Sequence, residues 1–281
     1  MSDVPAKTDR PTGLAISLPA RAENVAVVRH ALAGLAEEIG MDDAGIADLK
    51  TVVTEACMNV VVHAYGGDPG PLSVEAFPDS DGLSVVVRDS GSGIRPRADV
   101  DQPSLRLGLS LIAALSSSFS ISGGLNRGTE IQMRLPLHGG GAETGGSPVP
   151  VETPADATEI VVGRPELLAP VLGRIVGALA ARRDIAVDRV SDALLLTDAI
   201  AAAAPARFAD GAVRLALADG DDGLELRLGP MEEGAASRIR ADLGVPEVGG
   251  SLEALADEFS VEGADEGDYL AIRFSAPAPA P

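Results

Sequence analysis

Between Thr54 and Tyr65 the chain reads TEACMNVVVHAY, in which Glu55, Asn59 and His63 recur at intervals of four. Residues four apart stand one above another on a single helix face. An amide beside a carboxylate on such a face suits a hydrated divalent ion, because Mg²⁺ keeps several waters and takes few protein oxygens. The carboxylate is then placed to accept a proton from an attacking water or hydroxyl. Taken alone, the stripe is more simply a solvated helix face. Val52, Val53, Ala56, Val60 and Val61 supply the side expected to be buried.

Three later stretches bear on the same chemistry. In LSVVVRDSGSGI, Asp89 ends an apolar run and is followed by Gly91 and Gly93. An ionised carboxylate accepts hydrogen bonds only, which suits an exocyclic amine such as that of adenine. Glycines let backbone come close to a planar ring, although Asp, Ser and Gly are also ordinary turn formers. In SLRLGLSLIAAL, Gly108 precedes a helix whose first amides can receive phosphate oxygens. Asn126-Arg127-Gly128-Thr129 leads into a strand and brings a hydroxyl toward the base region.

Several elements must position these residues. Val25, Val28, Leu32, Leu35 and Ile39 have helical spacing, predicting an amphipathic helix over 22–39. A second helix is predicted from Asp43 to about Ala64. Strands follow over 72–77 and 83–88, joined by the turn sequence PDSDG. Then come a helix over 107–115, a strand over 119–122 and a closing strand over 129–135. Helices segregated on one face of a mixed or antiparallel sheet give a two-layer α/β sandwich, in the sense of an α+β fold.

The 281 residues carry a formal net charge of −20, are 46% apolar and only 2% aromatic, so the core must be built from Ala, Val, Leu and Ile. A chain this acidic repels nucleic acid and anionic membrane surfaces, so neither is expected as a direct partner. The single cysteine, Cys57, excludes an internal disulfide and suggests a reducing compartment. The first residues lack an apolar signal-peptide core, and no stretch is long and apolar enough to cross a bilayer. A cytoplasmic location is expected. Residues 138–157, rich in Gly, Pro and Thr, read as a flexible linker, and 276–281 as a Pro/Ala tail.

In this order and spacing, the four stretches resemble the Bergerat (GHKL) ATP-binding fold of histidine kinases and related ATPases. The N box is E-A-x-x-N-x-x-x-H-A-Y, the glycine boxes are D-S-G-S-G-I and L-G-L-S-L-I, and G-T-E-I closes the set. Within that superfamily the likeness is to the bacterial anti-sigma factor serine/threonine kinases of the RsbW and SpoIIAB type. It covers about residues 14–137, with no sensor or dimerisation helices ahead of the unit.

The resemblance implies ATP and Mg²⁺ as cofactors. It implies Glu55 as general base for a substrate serine and Asn59 as the metal ligand. Asp89 would bind the adenine amine, with Gly91, Gly93 and Ile94 forming the loop beside the base. Gly108, Leu109 and Arg106 would meet the phosphates, and Gly128 and Thr129 would support Asp89. His63 would be structural. The partners implied are a sigma factor and a STAS-domain anti-sigma antagonist. The family's lid has more glycine than DQPSLRLGLS offers, which puts lid closure and phosphoryl transfer in question. A regulator that binds ATP without catalysis is therefore a second reading. A histidine-kinase module is a third, with His30 as the candidate acceptor, although this histidine reads as a surface residue.

The second half repeats the first faintly. Arg21-Ala-Glu23 and Thr54-Glu55-Ala56 find counterparts in Arg164-Pro-Glu166 and Thr197-Asp198-Ala199 at one offset, and GLSVVV at Gly82 parallels GLELRL at Gly223. Ala114-Leu115 before Phe119 parallels Ala254-Leu255 before Phe259. Residues 158–275 thus read as a degenerate copy. Asn59 becomes Ala202, His63 becomes Ala206 and Asp89 becomes Pro230, so this copy is not expected to bind ATP. The two copies could form an intramolecular pseudo-dimer, or the chain a homodimer.

Overall fold

A computed structural model of the chain describes residues 13–79, 81–93, 103–124, 127–137, 158–182, 187–208, 211–220, 223–245 and 250–275. The linker reading over 138–157 and the tail reading over 276–281 lie outside them.

The first half runs β1 (Leu14–Pro19), α1 (Val25–Glu38), α2 (Asp43–His63), β2 (Pro71–Asp79), β3 (Gly82–Asp89), α3 (Pro103–Leu115), β4 (Ser118–Gly123) and β5 (Thr129–Pro136). The second runs β6 (Thr158–Val162), α4 (Leu168–Arg182), α5 (Val187–Ala203), β7 (Val213–Gly220), β8 (Gly223–Met231) and α6 (Ala235–Asp242). A two-residue pair, β9 (Gly244–Val245) and β10 (Gly250–Ser251), precedes β11 (Glu258–Ala264) and β12 (Gly267–Ser275). Ten strands form one antiparallel sheet in the order β11-β12-β8-β7-β6-β1-β2-β3-β5-β4. Alternate residues such as Leu83, Val85 and Val87 of β3, and Ile131, Met133 and Leu135 of β5, enter one core with the buried sides of the helices. The helices therefore cover one face of the sheet, as the apolar alternation requires.

Four features differ from the sequence reading. β1 and β6 were not expected. LAISLP is buried at every residue, so it lacks the apolar–polar alternation that marks a half-exposed strand. Residues 22–24 form a 3₁₀ turn before α1. α3 starts at Pro103, which is tolerated in a first helical turn. In the second half Ala254-Leu255, set above beside the helical Ala114-Leu115, lie in a separate 3₁₀ turn at 252–255, while α6 ends at Asp242.

The halves meet along β1 and β6, which pair antiparallel through Leu14↔Val162, Ile16↔Ile160 and Ser17↔Glu159. Behind this seam α1 packs on α4, and Arg174 bonds Glu37 across it. His30 of α1 is half-buried here rather than a surface residue. Burial, with the charges of Arg29, Lys50 and Arg174, pushes its imidazole below the usual histidine range. The helices approach closely at Gly34, where a Cβ would stand 2.3 Å from the Pro170 carbonyl oxygen.

Gly34→Ala is therefore expected to destabilise the chain by about 1–3 kcal/mol, the cost of overpacking a tight contact. In an exposed helix the same change stabilises by up to about 1 kcal/mol. A urea midpoint that rises in this variant would mean that the α1–α4 seam is not packed this way.

Candidate functional site

α2 starts cleanly because the Asp42 carboxylate accepts from the Gly45 amide at 2.7 Å. Its buried side is Ile46, Leu49, Val52, Val53, Ala56, Cys57 and Val60. This face seats the helix on the sheet and leaves Glu55 and Asn59 half-buried on its flank. α3 packs on that flank with Gly108 at the contact. A Cβ on Gly108 would lie 2.6 Å from Glu55 Oε2 and 3.8 Å from Asn59 Oδ1. A carboxylate and an amide oxygen thus face one point on α3, where a larger residue would make the Glu55 carboxylate shift. The Asn59 amide nitrogen is buried without a hydrogen-bond partner. Among the described residues no three His, Cys, Asp or Glu side chains cluster as a metal cage. A cation here would have one or two protein oxygens and would depend on water and ligand oxygens for the rest. That donor set fits Mg²⁺ and does not fit Zn²⁺.

The other side of the site is the end of the sheet. Leu83, Val85 and Val87 point into the core, so the period of two carries Asp89 onto the helix side. The β3–β5 ladder ends at Arg88↔Glu130, with Asp89 and Thr129 one residue beyond. The next three amides of the loop each have a separate anchor. The Ser90 N–H donates to the Tyr65 hydroxyl at 2.9 Å. Gly91 N–H donates to Asp89 Oδ1 at 2.8 Å, and Ser92 N–H to the Ala64 carbonyl at 2.8 Å. Gly128 N–H adds a 3.2 Å bond to the Gly91 carbonyl. Gly128 has φ +70°, and a Cβ there would fall 1.9 Å from the Asp89 carbonyl oxygen, so no other residue fits. A cavity of about 430 Å³ opens at this edge; besides Asp89 and Thr129 it is lined by Arg88, Ser122, Arg127 and Glu130, so it reaches toward the far sheet face and not toward Glu55, Asn59 and Gly108.

Behind Asp89, on the opposite sheet face, Arg88 bridges Glu75 at 2.7 Å and Glu130 at 2.6 Å. The hydrogen bond from Arg88 holds the Glu130 carboxyl below the usual range. These paired charges clamp β2, β3 and β5 just where the sheet ends.

The structure thus brings Glu55, Asn59 and Gly108 together, and separately Asp89, Gly91, Gly93, Gly128 and Thr129. The two groups join where the Asp89 loop docks on the end of α2. Gly93, at φ +68°, packs against the Gly124 and Gly128 carbonyls. Leu109 of α3 packs against the core. Arg106 lies on α3 two residues before Gly108, while Ile94 and Asn126 fall outside the described residues. The side chain of His63 is half-buried. Sequence reasoning missed Tyr65, the Ala64 carbonyl and Gly124. Tyr65 stood within the opening stretch, but spacing does not disclose a hydroxyl that reaches a loop 25 residues away.

Residues 18–135 match the histidine kinase-like ATPase domain. The chain also resembles serine-protein kinases named RsbW. Those of Bacillus cereus (strain Q1) and Bacillus thuringiensis subsp. konkukian (strain 97-27) are 38% identical over 76 residues, 27% of this chain and 48% of theirs. That of Bacillus mycoides (strain KBAB4) is 37% identical over the same span. The chain spans about half the length of the curated relatives it matches.

The second half has backbone features of its own at the ends of α5 and β8. Glu232 N–H donates to the Arg207 carbonyl at 3.0 Å, in the 3₁₀ turn that follows α5. Gly234 has φ +73°, close to Gly93. Asp198 and Ala202 are exposed on α5 rather than sheltered by a crossing helix. Ala235, Ala236 and Ile239 of α6 are buried, and Arg207 bonds Asp242 at 2.8 Å, holding α6 against the end of α5.

Cys57 lies in the buried face that seats α2, and burial pushes its thiol up to about 12. A thiol-reactive disulfide reagent at pH 8 is expected to leave the native chain unlabelled and to label one thiol after denaturation. Rapid stoichiometric labelling of the native chain would show that α2 lifts from the sheet.

Proposed function

We propose that residues 14–137 form an ATP-binding domain using Mg²⁺. In this reading the chain is an anti-sigma regulatory serine/threonine kinase that phosphorylates a STAS-domain antagonist, sequesters a sigma factor, or does both. The observation that carries it is the convergence of Glu55 and Asn59 on Gly108, next to a sheet end that presents Asp89. The partial likeness to serine-protein kinases adds support.

Bound Mg·ATP supplies the phosphoryl group and the cation that neutralises its developing charge. Asn59 holds the metal through its amide oxygen. Glu55, four residues earlier on α2, accepts the proton of the substrate hydroxyl. The free oxygen of Asp89 accepts from the adenine amine, while its other oxygen fixes the loop through Gly91. Thr129 supports Asp89 from the adjoining strand end. Gly108 lets the phosphates approach Glu55 and Asn59, with Arg106 and Leu109 beside it on α3.

Residues 158–275 are read as a degenerate copy joined by the linker 138–157 and acting as the built-in second subunit. The continuous sheet and the α1–α4 contact support this reading, since β6 occupies the edge of β1 that a second chain would otherwise take. Light scattering is expected to give a monomer; a stable dimer would sink the internal pairing.

A second reading is a regulator that binds ATP without transferring phosphate. It is favoured by the single glycine, Gly108, in the lid stretch 101–110. Three variants separate the two. Asn59→Ala is expected to remove the Mg²⁺-dependent part of ATP affinity, and Asp89→Asn to weaken ATP roughly tenfold or more. Glu55→Gln is expected to keep ATP binding and to lower transfer to a STAS-protein serine by about 10²–10⁴. ATP binding without any transfer by the unaltered chain selects the second reading. Unchanged ATP affinity in both Asn59→Ala and Asp89→Asn refutes the site.

A further inference from the structure

We infer that Tyr65 is a positioning residue for Asp89, setting the carboxylate that reads the adenine amine; this rests on the ATP reading above. One hydroxyl does two things. It accepts from Ser90 N–H at 2.9 Å and donates to the Pro71 carbonyl. Ser90 immediately follows Asp89, so this bond fixes the peptide that sets the direction of the carboxylate. Pro71 begins β2, and Leu72 pairs with Asp89 across the β2–β3 ladder. The hydroxyl therefore ties both strands at the level of Asp89 to the last residue of the opening stretch.

The ring has a defined seat. A Cβ on Gly70 would stand 2.2 to 2.6 Å from three of its carbons, so Tyr65 lies flat against a position that only glycine can occupy. Gly70 in turn accepts from Ala20 N–H at 2.8 Å, which connects the ring's platform to the end of β1. Burial raises the phenol pKa, and the nearby Asp89 charge raises it further, so the O–H donor is kept.

Without the hydroxyl, Ser90 N–H loses its acceptor and Asp89 is held by Gly91 alone from its own loop. The second half offers a parallel. Phe208 is buried at the corresponding place and has no hydroxyl, and there the residue corresponding to Asp89 is Pro230. The aromatic ring persists where the adenine-reading carboxylate does not, which separates the ring's packing role from the hydroxyl's role.

The test compares ATP with purine riboside triphosphate, which lacks the 6-amino group, in the full chain. Tyr65→Phe is expected to weaken ATP binding about tenfold, the effect of one lost hydrogen bond. Purine riboside triphosphate should change by less than about twofold, so the preference for the amino group narrows. Gly70→Ala, which displaces the ring, should narrow it likewise. Equal weakening of both nucleotides, or unchanged ATP binding in Tyr65→Phe, overturns the positioning role while the ATP site stands. If the unaltered chain binds no ATP, or Asp89→Asn leaves its affinity unchanged, both readings fall.

Discussion

Leu83, Val85 and Val87 of β3 are buried against the helices, and the next residue in that period of two is Asp89. The hydrophobic alternation that attaches the sheet to the helices also decides which polar side chain emerges on their side. A slip of one residue in β3 would turn Arg88 inward and Asp89 out. The register is held by ladders on both sides, to β2 and to β5, and by Arg88 spanning Glu75 and Glu130 on the far face. Glu75 is 3% exposed, so its pairing with Arg88 matters beyond that of a surface ion pair. The site depends on this arrangement because α2 can offer Glu55 and Asn59 only to something the sheet places opposite them.

The seam between halves acts at a longer range. β1 has a neighbour on each side, β2 and β6, and it carries Leu14, Ile16 and Leu18 into the shared core. Removing β6 would leave β1 as an open edge with unpaired backbone groups. α1 would lose α4 and expose apolar surface where Gly34 now touches Pro170. The second half therefore stabilises the strand next to β2, which in turn supports Tyr65 and Asp89. This gives the second half a physical role in holding the first half's sheet, whatever else it does.

Much of this was legible in the sequence. Helical spacing found α1 and α2, and alternation found β2, β3 and β5 to within about two residues, because each has one buried and one polar side. β1 was not legible, since a strand buried at every residue carries no alternation, and β6 has only five residues, the last three buried in a row. The break between α6 and Leu255 was signalled by Gly244, Pro246, Gly249 and Gly250, which interrupt any helix there. Within the site, Glu55, Asn59, Asp89 and Gly108 could be picked out by chemistry and spacing. Their meeting could not, because it depends on how α3 crosses α2. The Ala64 carbonyl carries no side-chain information at all.

The two halves also separate what the fold requires from what the site requires. A bond from a loop amide to a carbonyl beyond a helix is present in both halves, from Ser92 N–H to Ala64 in the first and from Glu232 N–H to Arg207 in the second, although Glu232 stands opposite Gly91 rather than Ser92. So are the left-handed glycines Gly93 and Gly234 and the aromatic rings of Tyr65 and Phe208. These close a turn against the end of a helix, and a buried backbone amide left without a partner would cost about 1–3 kcal/mol in either half. The groups that differ are an amide, a carboxylate and a phenolic hydroxyl in the first half, set against Ala202, Pro230 and a plain phenyl ring in the second. Each of the three second-half residues lacks the hydrogen-bonding capacity of the first-half group set against it. A half-buried Asn59 whose amide nitrogen finds no protein partner is a net cost to folding, one the second half does not bear. Such a group persists in a stable helix where something other than the protein completes its hydrogen bonds.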